Sequence, residues 1–328
     1  MKKMKKWLKR LPLFFFTSIV VLALWNLIHK KIDQSKLESA YGQVVEVGGK
    51  NMVVDIKGEK NDTTIILLPG WGCVSPILEF SPVSDALAEN FKVITIEPFG
   101  YGLSDESEHE REVEVIVEEL HECVQKLGCE EYYLMAHSLS GVYSLYWSNE
   151  YPKEVKGFIG IDCSVPKQIE NEPFPISTIT INRLLAYGQK LKNVSGITRL
   201  TSISDPKKAF YADASHQYSE KEVEIYRILS IDYGNNKTVM NELKYMEENM
   251  RSMQEMKFPE HIPVLHFISD FNCELMESWE RLHNEIVTEN IRSETIRLEG
   301  GHYLHFEQKE EIAKEIREWI IGEKMIYR

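Results

Sequence analysis

Cysteine is scarce in this chain: Cys73, Cys123, Cys129, Cys163 and Cys273 are scattered over 328 residues. An odd, widely spread set excludes a disulfide-built scaffold and leaves at least one thiol unpaired. Cys123 and Cys129, six apart on an apparent helix, do not share a face, and neither do His121 and Cys123, so no metal site is expected. Positive charge is equally scarce beyond the start of the chain. Eight of the 38 Lys and Arg fall in the first 31 positions, which hold no acid, so the remainder carries 30 bases against 51 acids. That balance argues against nucleic acid as a partner. A dinucleotide fingerprint is missing as well. Gly100 and Gly102 suggest one, but the third small position is Asp105, whose charge would face the pyrophosphate. No internal repeat or low-complexity tract is present.

Only one long apolar run exists. From Leu11 to Ile28 there is no charge apart from Arg10 before it and Lys30 and Lys31 after it, and at ~1.5 Å per residue the run spans a bilayer core. Trp7 and Trp25 are suited to the two interfaces. No small-x-small cleavage site follows, since near Ala40 the position that should be small is Glu38, which favours an uncleaved anchor. The heavier basic flank is N-terminal. The expectation is a single-pass protein of the cell membrane with residues 1–10 as a basic cytoplasmic tail, 11–28 as the transmembrane anchor, 29–40 as a polar stalk and the large domain outside.

Beyond the stalk, 43% hydrophobic content is enough for one main core. Gln43 to Val47 and Met52 to Lys57 alternate around Gly48-Gly49 as a hairpin. Apolar strand-like runs then recur at Thr64–Leu68, Lys92–Ile96, Tyr132–Ala136, Phe158–Ile161, Pro263–Ile268 and Glu294–Leu298, separated by amphipathic helical stretches. This alternation predicts an α/β fold, a mainly parallel central sheet with helices on both faces, over 41–166 and 260–328. Between 167 and 259 the alternation stops. Aromatics and methionines, among them Tyr187, Phe210, Tyr211, Tyr226, Met246 and Met250, lie there on several amphipathic helices. This segment is expected to form a helical cap over the carboxyl ends of the strands, contributing core and a hydrophobic pocket.

The chemistry concentrates at Tyr132-Tyr133-Leu134-Met135-Ala136-His137-Ser138-Leu139-Ser140-Gly141. An apolar strand stops at a serine whose neighbours two before and two after, Ala136 and Ser140, are small. A tight strand-to-helix turn needs this, because it lifts the hydroxyl above the sheet and leaves the next N–H free at a helix start.

With Pro69-Gly70-Trp71-Gly72, the run from Glu97 to Asp105 and Gly300-Gly301-His302 in the same order, the chain resembles the α/β-hydrolase superfamily over nearly all of residues 41–325. Proline replaces the usual histidine of the first motif and Glu97 the usual aspartate of the second. The resemblance implies a catalytic triad of Ser138 as nucleophile, His302 as base and a carboxylate after one of the late strands. The position that usually bears the acid is Asn272 here, so Asp270, in the same loop, is the expected acid and Asp162 the alternative. It also implies oxyanion donors from the backbone N–H groups of Leu139 and Trp71, with no metal and no cofactor. The expected function is a membrane-anchored serine hydrolase acting on a small-molecule or lipid-like ester, or a thioester or amide, with an apolar portion. The alternative is a non-catalytic or weakly active surface binding protein on the same fold.

Overall fold

Each apolar run expected to be a strand is one. In the computed structural model, which describes residues 2–38, 40–172, 176–203, 213, 215–290 and 292–326, eight strands form a single sheet in the order β1-β2-β4-β3-β5-β6-β7-β8. The strands are β1 (Gln43–Val47), β2 (Lys50–Lys57), β3 (Thr64–Leu68), β4 (Lys92–Glu97), β5 (Tyr132–His137), β6 (Val155–Ile161), β7 (Val264–Ser269) and β8 (Glu294–Leu298). Strand β2 runs antiparallel to β1 and β4; all other pairs are parallel. β3, β5 and β7 are buried at every position, which is why they read as unbroken apolar runs, whereas edge strands β1 and β8 are largely exposed or half-buried.

The helices follow in chain order: α1 (Lys2–Leu37), α2 (Pro76–Glu79), α3 (Ser81–Ala88), α4 (Val113–Lys126), α5 (Ser140–Glu150), α6 (Thr178–Val194), α7 (Ile197–Ser202), α8 (Glu220–Asp232), α9 (Lys237–Ser252), α10 (Asp270–Leu275), α11 (Trp279–Glu285), α12 (Leu304–Glu307) and α13 (Lys309–Ile326). One face of the sheet is covered by the apolar stripes of α4 and α5 through residues such as Ile116, Leu120 and Leu145. The other is covered by α3 and α13 through Val83, Leu87, Ile312 and Ile316.

Helices α6 to α9 fill the segment expected as the cap. Asn236 accepts from Val239 N–H at the start of α9, and the Ser219/Glu222 capping box starts α8. Met246 and Met250 on α9, and Met253 just after it, are buried, while Tyr187 stands in solvent. Phe210 and Tyr211, expected among the cap aromatics, lie outside the described residues.

The start of the chain differs from expectation. Residues 29–37, expected as part of a stalk, continue α1 to Leu37. The helix is docked: Asn26 and Asp33, seven apart and so on one face, are buried against the cap. Among the described residues one helix, with the stretch Phe14–Leu37, is long and apolar enough to cross a membrane by length and composition.

Candidate active site

The register of the sheet sets the site. His137 on β5 lies opposite Ile161 on β6, so the next residue on each strand, Ser138 and Asp162, leaves the sheet side by side. Both have positive φ, 52° and 42°. That conformation is uncommon outside glycine and costs about 1–3 kcal/mol, so the surroundings must hold it in place. At Ser138 they do so by close packing. The Ser140 hydroxyl donates to the Pro69 carbonyl, and a β-carbon on Gly70 would sit 2.9 Å from that of Ser138. The loop after β3 therefore rests directly on the serine turn, and only glycine fits at position 70.

His302 reaches in from the loop after β8. Its Nε2 is 2.9 Å from Ser138 Oγ, and its Nδ1 is 2.8 Å from Asp162 Oδ2. The imidazole is also held by its backbone, since His137 Nε2 donates to the His302 carbonyl over 2.9 Å. Burial, then the nearby His305 and His302, push the His137 pKa well below the usual imidazole value. His137 is thus a neutral donor that positions the loop and does not point at the serine.

Asp162 is fully buried. Oδ1 accepts from Ser269 N–H (2.9 Å) and Trp279 Nε1–H (3.1 Å), and Oδ2 accepts from Ser269 Oγ (3.0 Å) and Asn272 Nδ2 (2.6 Å) besides facing His302. Burial is the largest single influence and raises its pKa, but the His302 hydrogen bond and charge with the Ser269 N–H outweigh it. The carboxyl stays below its usual range.

The expectation that Asp270 faces His302 is corrected. Ser269 caps α10 by accepting from Asn272 N–H (3.1 Å), so the helix begins at Asp270 itself. Two residues of helix turn the chain by about 200°, which aims Asn272 inward at Asp162 and Asp270 outward. Asp270 pairs with Arg297 at the surface. Sequence reasoning missed Ser269, Asn272 and Trp279 as the cradle of Asp162; the one available signal was a serine three residues before Asn272, a helix-start pattern.

Ser138, Leu139, Trp71 and His302 all border a cavity of about 550 Å³ between the strand ends and the cap. Its wall is mixed: Ile179, Met246, Met250 and Trp279 are apolar, while Glu79, Gln168, Glu172 and Asn182 are polar. The cap is firmly attached over it. Trp71 Nε1 donates to the Val239 carbonyl (3.0 Å), Tyr101 and Tyr143 hydroxyls donate to Glu242 (2.7 Å each), and Tyr226 donates to Glu79 (2.8 Å). Glu97, where an aspartate was usual, is structural. It accepts from Leu103 N–H (2.7 Å), Tyr41 (2.9 Å) and Ser75 (3.1 Å), and burial pushes it up to about 7, as it does Glu79. Among the described residues no group of His, Cys, Asp and Glu is arranged to hold a metal ion.

The model of the α/β hydrolase fold family matches residues 63–181, the segment from β3 through the serine turn to the first cap helix. Solved structures extend that match to the whole body. A haloalkane dehalogenase loop variant from Bradyrhizobium elkanii superposes with a TM-score of 0.61 at 16% identity, covering 87% of this chain and 97% of the other. An epoxide hydrolase from Vigna radiata gives 0.61 at 18%, covering 86% and 98%. This chain is an α/β-hydrolase-fold protein. At such identities the likeness establishes the fold alone. In sequence, the Bacillus subtilis (strain 168) protein YbdG, described as uncharacterized, is 26% identical over 292 residues, 86% of each chain. On this fold the carboxylate that faces His302 follows β6, one strand nearer the serine than the loop after β7 in which the sequence led us to expect it.

Proposed function

We propose that the protein is a membrane-anchored serine hydrolase that cleaves a carboxylic ester, or a thioester or amide, through an acyl-Ser138 intermediate. The observation that carries this is the unbroken chain from Ser138 Oγ to His302 Nε2 and from His302 Nδ1 to Asp162, at 2.9 and 2.8 Å. With Nδ1–H donated to Asp162, Nε2 is left to accept the hydroxyl proton as the oxygen attacks the acyl carbon. The N–H groups of Leu139 and Trp71 are the donors for the oxyanion. His302 then returns the proton to the departing alkoxide, thiolate or amine, and the same imidazole activates the water that frees Ser138.

The nucleophile bears on the reaction class. A serine oxygen transferred to an alkyl carbon, as dehalogenation or epoxide opening would require, gives an ether with no carbonyl for water to attack. An acyl ester of serine has one. Acyl transfer is therefore the reading we adopt over the reactions for which the structural neighbours are named. The mixed wall of the cavity suits a substrate with an apolar acyl chain and a polar remainder. Phe14–Leu37 supports anchoring, and the basic flank at Lys2 to Arg10 favours an N-terminus in the cytoplasm with the catalytic body outside.

A fluorophosphonate probe tests the assignment. It should label the wild type and not Ser138→Ala, and p-nitrophenyl esters of increasing chain length should then rank the acyl preference. Absence of labelling and turnover in folded wild-type protein would favour the non-catalytic binding role instead.

A further inference from the structure

Helix α6 is apolar on two opposite faces. Ile179 and Ala186 are buried toward the body, yet Leu184, Leu185 and Leu191 on the outer side are 66–71% exposed, and Ile197 and Leu200 extend the outer surface onto α7. A cap helix in water has no reason to carry a second apolar face. The charge pattern of the segment is also unlike the rest of the chain. Between Glu172 and Asp205 there is no acid at all, and the charges are Arg183, Lys190, Lys192 and Arg199, in a protein of formal net charge −13.

What covers this face follows from its attachment to α1. Gly196, between α6 and α7, has φ 81°, and a β-carbon there would lie 2.9 Å from the Leu22 carbonyl oxygen and 3.0 Å from Asn26 Cβ. Backbone touches backbone. Asn26 Nδ2 donates to the Asn193 carbonyl (3.0 Å), and Arg199 Nε donates to Asn26 Oδ1 (2.8 Å). Leu22 is six residues before Ile28, the end of the uncharged run, which is about 9 Å along the helix. If α1 enters a bilayer along that run, whatever packs at Leu22 is carried below the surface with it.

We propose that α6 and α7 are embedded in the outer part of the same leaflet that α1 crosses, with Leu184, Leu185, Leu191, Ile197 and Leu200 in the acyl chains. Arg183, Lys190 and Lys192 reach the headgroups from the flanks of α6. The inference rests on the membrane reading of α1 and extends it to the substrate. Thr178, Ile179 and Asn182 at the start of α6 line the catalytic cavity, so the helix that meets lipid on one side borders the reaction space on the other. The substrate class is accordingly an acyl lipid resident in that leaflet, received sideways from the bilayer.

The test is photolabelling of the full chain in phosphatidylcholine vesicles that contain a phosphatidylcholine with a diazirine on its acyl chain. Labelled sites are mapped by mass spectrometry after irradiation. Peptides from α1 and from α6–α7 should both be labelled, at least about tenfold above the exposed face of α4, as expected for a helix whose apolar side sits in the acyl region. Label on α1 without α6–α7 overturns the proposal and leaves the anchor standing. Label on neither overturns the anchor and, with it, this inference.

Discussion

Asn272 donates its side-chain amide over 2.6 Å to Asp162 Oδ2, the same oxygen that faces His302 Nδ1, and lies 3.4 Å from that nitrogen itself. The amide and the carboxylate thus share one imidazole edge. Asp162→Asn is expected to lower turnover by about 10⁴, the loss seen when the orienting carboxylate of a serine triad becomes an amide. Asp270→Asn, which removes only a surface pair with Arg297, should leave turnover near wild type. Moving the charge by combining Asp162→Asn with Asn272→Asp should restore part of the lost rate. Initial rates on a p-nitrophenyl ester decide it; equal activity of Asp162→Asn and wild type would remove Asp162 from the mechanism.

Glu79 and Glu97 are buried carboxyls raised to about 7. A group whose folded pKa exceeds its unfolded value contributes stability that is complete below about pH 4.3 and is lost as pH rises through 7, at most ~4 kcal/mol for each. Melting temperature should therefore fall between pH 5 and pH 8, and Glu97→Gln should flatten that fall. Asp162 acts in the opposite sense: its depressed pKa gives stability present above about pH 3.9 and lost as pH drops through the folded value. An unchanged slope in Glu97→Gln would mean that Glu97 is charged throughout.

The body of the fold was legible because its determinants are local. β3, β5 and β7 are short runs of wholly buried residues that end at Pro69, Ser138 and the Ser269 cap, and such runs cannot be read as solvated chain. Ser138 and His302 stood out for the same reason, one on a turn flanked by small residues and the other behind two glycines. Which carboxylate faces His302 was not legible. It depends on the residue at which α10 starts, a matter of one serine hydroxyl, and on the level at which β6 ends beside β5. The docking of α1 was hidden likewise, because Arg199 lies 166 and 173 positions along the chain from Asp33 and Asn26 and meets them only on folding.

Glu242 on α9 holds two buried phenols, Tyr101 and Tyr143. Tyr101 in turn accepts from Gly72 N–H (3.4 Å), so the cap is tied to the loop that carries Trp71. Glu242→Ala leaves both hydroxyls without that partner and should cost about 2–5 kcal/mol, read as a lower urea midpoint and faster tryptic cleavage within the cap. Wild-type resistance in the variant would show the cap to be held by apolar contacts alone.

Arg199 joins α1 to the cap, pairing with Asp33 and, through both carboxylate oxygens at 2.6 and 2.7 Å, with Asp232. Because all three side chains are buried, Arg199→Ala strips Asp232 of its ion pair and leaves Asp33 with Lys36 and a more distant Arg227, and should destabilise the junction by about 3–5 kcal/mol. Amide hydrogen exchange should then quicken in α7 and the C-terminal part of α1 while the sheet keeps its protection. Uniform quickening throughout would place Arg199 in the global core instead.

That clamp also removes a degree of freedom. A catalytic body on a slack tether would tumble over its attachment point, presenting its opening in every direction in turn. Here the last three turns of α1 are gripped by the cap, so there is no swivel between shaft and head. Rotating the helix about its own axis turns the whole molecule, and the opening above Ser138 keeps one azimuth and one height relative to it.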